Sequence, residues 1–179
     1  MKVTVFGGAQ PTKDSPAYQE ALDLGRLLAQ GGHTVLTGGY IGTMEAVSRG
    51  ASESGGYVIG VTCEDIEAWR KVKANAWVKE EIRKKTLMER LRVLVDECDA
   101  AIALPGGVGT LVEISLMWNL MIVESIHRRP LILIGGGWQS VMDQFFDTFE
   151  MYMPKNPSEH IQFAADVKTA VKMLESSKV

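Results

Sequence analysis

Four times along this chain a short apolar run ends in clustered glycines: Gly7-Gly8, Gly38-Gly39, Gly106-Gly107 with Gly109, and Gly135-Gly136-Gly137. Longer segments of helical period fill the intervals. β-branched runs alternating with helical segments are the signature of a parallel sheet covered by helices on both faces. Strands are expected near Lys2 to Phe6, Thr34 to Thr37, Tyr57 to Val61, Ala100 to Leu104 and Leu131 to Ile134. Helices are expected from about Ser15 to Gln30, Thr43 to Ser54, Glu80 to Cys98, Thr110 to Ile126, Trp138 to Tyr152 and Asp166 to Glu175. This predicts a Rossmann-like, doubly wound α/β fold. The 179 residues, of which 46% are apolar, are enough for a full core in one domain spanning 1–179 without disulfide or metal staples.

In an open parallel sheet, ligands bind in the crevice beyond the carboxyl ends of the strands, where the glycine loops lie. One glycine pair commonly does no more than end a strand or permit a turn; four at one edge point to a ligand. The most informative segment is Pro105-Gly-Gly-Val-Gly-Thr110-Leu-Val-Glu113. It follows an apolar strand and opens an apolar helix, so Gly106, Gly107, Val108, Gly109 and Thr110 sit where unpaired amides and the positive helix end make an anion site. Its glycines let the backbone approach a phosphate, and Thr110 is placed to cap the helix or donate its hydroxyl to a phosphate oxygen. No lysine follows in the P-loop pattern, and Val112 stands where a dinucleotide fingerprint needs its third glycine. ATP hydrolysis and nicotinamide binding are therefore not expected.

Glu113 lies in the first turn of that helix, a place the dipole favours by roughly 0.3 to 1 kcal/mol whatever the function. A carboxylate there would also weaken phosphate binding unless it faced another part of the ligand, such as a sugar carbon gaining positive charge. In the preceding helix, Leu87, Leu91, Leu94, Val95 and Cys98 form the expected buried stripe, and the charged residues from Lys79 to Lys85 a solvated face. Arg90 falls on the border of the stripe, slightly below the phosphate loop and within reach of the crevice.

Arg90 ahead of a PGGxGTxxE segment resembles the LONELY GUY family, also labelled "possible lysine decarboxylase". VTVFGGAQ, AYQEALDLGRLLAQGGHTVLTGG and the loop Gly38-Gly39-Tyr-Ile-Gly42-Thr43-Met44 are similar to the family's opening elements and second glycine motif. The resemblance implies hydrolysis of the N-glycosidic bond of a nucleoside 5′-monophosphate, a cytokinin ribotide or AMP, to free base and ribose 5-phosphate. It places the catalytic pair on Arg90 and Glu113 and nucleotide contacts on Gly8, Gly38, Gly39, Gly42, Thr43 and the 106–110 loop. Where the family usually has RK and GLMG, this chain reads Arg90-Leu91 and Gly42-Thr43-Met44-Glu45. Those departures resemble a branch that includes molybdenum-cofactor carriers, which bind a phosphorylated pterin without turnover. A nucleotide-sensing subunit is a third reading.

Other chemistries lack their residues. No lysine stands out as a Schiff-base partner for pyridoxal phosphate, there is no GxSxG, and His33, His127 and His160 suggest neither a triad nor a zinc site. No metal and no cofactor are expected. The balance of 19 basic against 22 acidic residues lacks the excess of a nucleic-acid binder. Met1 leads directly into a strand-like segment, Glu113 and Glu124 bracket the most apolar stretch, and Cys63 and Cys98 have no metal or disulfide spacing. Together these predict a soluble cytoplasmic protein with two buried thiols and no membrane partner. From Leu111 to Ile126, eleven of sixteen residues are apolar, more than one sheet-facing stripe needs. The excess predicts either a deeply buried central helix or a symmetric homodimer packed through it, and the resemblance implies the latter.

Overall fold

The computed structural model describes residues 1–177. Seven parallel strands form one sheet: β1 (Lys2–Phe6), β2 (Thr34–Thr37), β3 (Val58–Cys63), β4 (Glu80–Lys84), β5 (Ala100–Ala103), β6 (Leu131–Ile134) and β7 (Gln162–Ala164), in the spatial order β4-β3-β2-β1-β5-β6-β7. The helices are α1 (Pro16–Gln30), α2 (Thr43–Glu53), α3 (Glu64–Arg70), α4 (Leu87–Asp96), α5 (Val108–Ile122), α6 (Gly136–Thr148) and α7 (Val167–Ser176). The sheet is doubly wound, as expected.

Helices α1 and α7 start with local chemistry. The Ser15 hydroxyl accepts the Tyr18 N–H with Pro16 in the first turn, and the Asp166 carboxylate accepts the Thr169 N–H. Central strands are buried on both faces, so they read as continuous apolar runs such as Ala100-Ala-Ile-Ala103. Two apolar clusters flank the sheet. One joins Val3, Val5, Val35 and Ile102 to Leu24 and Leu28 of α1, Val47 of α2 and Leu174 of α7; the other joins Phe6, Val61 and Leu133 to Leu94, Ile114, Met117 and Met142. A Cβ at Gly25 would overlap the Val47 carbonyl oxygen and one at Gly50 the Leu22 carbonyl oxygen, so α1 and α2 cross at a separation only glycine permits.

From β1 the chain moves to α1 and the first cluster; from β5 it moves to α5 and the second. The loops after these adjacent strands therefore diverge, which opens the crevice between them.

The expected helix from Glu80 to Cys98 is corrected by the structure. Glu80–Lys84 pairs with β3 as an outer strand, and α4 begins only at Leu87. The start is fixed by Thr86, whose hydroxyl accepts the Glu89 N–H while the Glu89 carboxylate accepts the Thr86 N–H. Leu87, expected in the buried stripe, is 40% exposed, whereas Arg90, expected on its border, is 4% exposed. α3 and β7 have no counterpart in the sequence expectation. Cys63 and Cys98 are both buried free thiols. Among the described residues no helix is long and apolar enough to cross a membrane, and no cluster of three or more His, Cys, Asp or Glu side chains could hold a metal ion.

Candidate active site

A cleft of about 610 Å³ opens at the carboxyl ends of β1 and β5. The loop after β5 supplies its polar floor. The first helical hydrogen bond of α5 runs from the Leu111 N–H to the Gly107 carbonyl, which leaves the amides of Val108, Gly109 and Thr110 without an intrahelical acceptor. No side chain caps this end of the helix. Thr110 is buried and packs back on Gly106, where an added Cβ would overlap its hydroxyl, so the expected cap is not formed. At Gly107 and Gly109 an added Cβ would meet nothing within 4 Å: these residues face open cleft.

Glu113 stands one turn further along α5, with 8% of its surface exposed. Burial pushes its carboxyl up to about 7 from an ordinary 4.5, and the charge of Arg90 pulls the other way. Arg90 comes from α4, its Nη1 lying 3.9 Å from Glu113 Oε1. Its Nε donates to the Val61 carbonyl at 2.7 Å, its Nη2 lies 4.0 Å from Met44 Sδ, and its guanidinium carbon lies 5.6 Å from the centre of the Tyr40 ring. The arginine is thus held by a carbonyl, a sulfur and an aromatic face, with one carboxylate as its charge partner.

The second glycine loop builds this cradle. A Cβ on Gly38 would overlap Arg90 Nη2 and Met44 Sδ. The Tyr40 hydroxyl donates to the Cys63 carbonyl and accepts the Cys63 N–H, and Asn75 Nδ2 donates to the carbonyls of Gly39 and Tyr40. Gly42, at φ +70°, lies against Ala9, while the Thr43 amide and hydroxyl both donate to the Gly8 carbonyl at 3.0 Å. Glu45 is turned to Lys13, 3.1 Å away.

The structure therefore brings Gly8, Gly107, Val108, Gly109, Thr110, Arg90 and Glu113 into the lining of one cleft, and sets Gly38, Gly39, Gly42, Thr43 and Gly106 behind that lining as supports. Tyr40, Met44, Leu87 and Leu91 also line the cleft, as do Asp65, Ile66, Trp69 and Arg70 of α3. Sequence reasoning missed the α3 group because seven residues are too few to show a helical period, and its charged run reads as loop.

Residues 1–123 match the SLOG cluster4 family. The chain is 29% identical to the cytokinin riboside 5′-monophosphate phosphoribohydrolase of Mycobacterium tuberculosis over 95% of its own length and 91% of the relative's. It is 31% identical to the phosphoribohydrolase LOG3 of Arabidopsis thaliana over 97% of this chain and 81% of that one. Among solved structures, the molybdenum cofactor binding protein of Rippkaea orientalis superposes with a TM-score of 0.77 at 24% identity, covering 99% of this chain and 97% of that one, a likeness of fold. With the PGGVGTLVE segment lining its cleft and a family match over its first 123 residues, this chain belongs to the SLOG cluster4 family.

Proposed function

We propose that the cleft hydrolyses the N-glycosidic bond of a nucleoside 5′-monophosphate, of the AMP or cytokinin ribotide type, to free base and ribose 5-phosphate. The reading rests on one observation: a nearly buried carboxylate, Glu113, lies one helical turn from the uncapped amides of Val108, Gly109 and Thr110. Phosphate on those amides anchors the substrate at a point remote from the reacting bond. When the C1′–N bond lengthens, its electron pair leaves with the base and positive charge grows on C1′ and the ring oxygen. Ionised Glu113 stabilises that charge and draws a proton from an incoming water. The water's hydroxyl bonds to C1′, and the proton passes from Glu113 to the departing base. Arg90 holds part of the Glu113 population ionised against the effect of burial, and no metal enters the scheme. The similar sequences of the M. tuberculosis and A. thaliana phosphoribohydrolases support the same chemistry.

Incubation with a panel of nucleoside monophosphates, followed by chromatography, is expected to yield free base with equimolar ribose 5-phosphate. Glu113→Gln is expected to bind nucleotide and release no base; undiminished turnover by that variant refutes the assignment. A carrier of a phosphorylated ligand such as the molybdenum cofactor would use the same amides but give Glu113 nothing to do.

The assembly belongs to the same proposal. On α5, Val112 is 44% exposed, and Leu116 and Leu120, four and eight residues further on, are partly buried. We assign this face to a symmetric homodimer; a monomer in equilibrium sedimentation at micromolar concentration rules it out. The two free thiols fit a reducing, cytoplasmic setting.

A further inference from the structure

We infer that Trp69 is the platform on which the nucleobase stacks, an assignment that rests on the proposed nucleotide chemistry. Trp69 is 73% exposed, the most exposed aromatic ring lining the cleft. It sits on α3, a helix with no buried residue, so burial of apolar surface does not explain its place. The helix is held by polar contacts instead: Asp65 Oδ2 accepts the Leu87 N–H at 2.8 Å, and Glu67 Oε2 pairs with Arg83 at 2.6 Å. It stops at Lys71, which adopts the left-handed conformation at φ 52°.

The Arg70 guanidinium lies 4.7 Å from the centre of the Trp69 ring and covers one face. That contact orders the indole and leaves its other face available to a flat ligand. Ile66, Leu87 and Leu91 add apolar lining to the cleft, and Leu87 is tied to α3 by its N–H bond to Asp65. Arg90 is bonded to Val61 of β3 and faces Glu113 of α5, so the pair lies between the phosphate-binding amides at the start of α5 and the aromatic and aliphatic side chains of α3, which follows β3. That is the order phosphate, ribose, base in a nucleotide. An indole offers its π-face to a base without hydrogen-bond readout, so Trp69 positions the base and leaves the choice among bases to other contacts.

The test compares AMP with ribose 5-phosphate, which carries no base. Removal of the ring in Trp69→Ala is expected to raise the KM for AMP roughly 5- to 150-fold, the range for loss of one stacked base, while the inhibition constant of ribose 5-phosphate stays within about twofold. Trp69→Phe is expected to recover most of the affinity, and AMP to quench the wild-type emission of an exposed tryptophan that Trp69→Phe lacks. Equal weakening of AMP and ribose 5-phosphate, or no change in either, overturns the assignment while leaving the hydrolytic reading intact. If the wild-type protein neither binds nor cleaves any nucleoside monophosphate of the panel, the hydrolytic reading falls and the platform falls with it.

Discussion

The guanidinium of Arg90 stops 3.9 Å from the Glu113 carboxylate while its Nε is bonded to the Val61 carbonyl. The two groups interact by charge across a gap, so the carboxylate oxygens remain open to water or a sugar. A carboxylate poised near neutrality in a cleft is suited to move protons at cellular pH.

Activity should follow its titration. In the proposed hydrolysis the ionised form is the active one, and with burial pushing the carboxyl up to about 7, kcat/KM for base release is expected to rise through that pH and level off above it. Rates measured from about pH 5.5 to 8.5 that show no inflection count against Glu113 as the reacting group.

Replacing Arg90 by methionine keeps bulk and removes charge. With that opposing charge gone, the effect of burial on Glu113 is no longer countered, and the rise in the pH profile is expected to move upward. An unmoved profile would mean that Arg90 does not act through Glu113.

Gly38→Ala tests the cradle. The new Cβ collides with Arg90 Nη2 and Met44 Sδ, so the arginine must shift. A fall in kcat/KM of about a hundredfold is expected from the misplacement, with a stability cost of about 1 to 3 kcal/mol for the crowding. Unaltered kinetics would show that Arg90 tolerates displacement.

At Gly109 stability and function should part. It lies in the first turn of α5 and faces open space, so alanine is expected to strengthen the helix by up to about 1 kcal/mol. The same methyl intrudes on the amide floor, and the KM for nucleotide should rise by about tenfold or more. Thermal denaturation and kinetics on one sample check both signs.

Folding should register Glu113 as well. Its folded-state value of about 7 lies above the ordinary 4.5, so the folded chain holds the proton more tightly than the unfolded chain does. The resulting stability is fully present below 4.5 and is lost as the pH rises through 7. Denaturant titrations at either end of that window are expected to show a pH dependence about 3 kcal/mol larger in the wild type than in Glu113→Gln.

Much of this molecule was readable from the chain. β1, β2 and β6 occur at the expected residues because apolar, β-branched runs bounded by turn residues leave little choice. β4 was not readable, since Glu80-Glu-Ile-Arg-Lys84 is built of helix-favouring residues and owes its strand conformation to pairing with β3. The signal for the true helix start was present in Thr86 and Glu89, spaced as a capping box. In the site, Glu113 and the 106–110 loop follow from their place at a helix start. The role of Gly38 under Arg90 and the presence of α3 depend on contacts between residues distant in sequence, which no local pattern records.

The outermost strands carry a consequence for assembly. β4 carries the exposed, charged Glu80, Glu81 and Arg83, and β7 at the far margin is only three residues long. Charged or very short borders are poor templates for an incoming strand, so the sheet resists growth at either margin. Edge-to-edge pairing of two copies into one continuous sheet is thereby disfavoured.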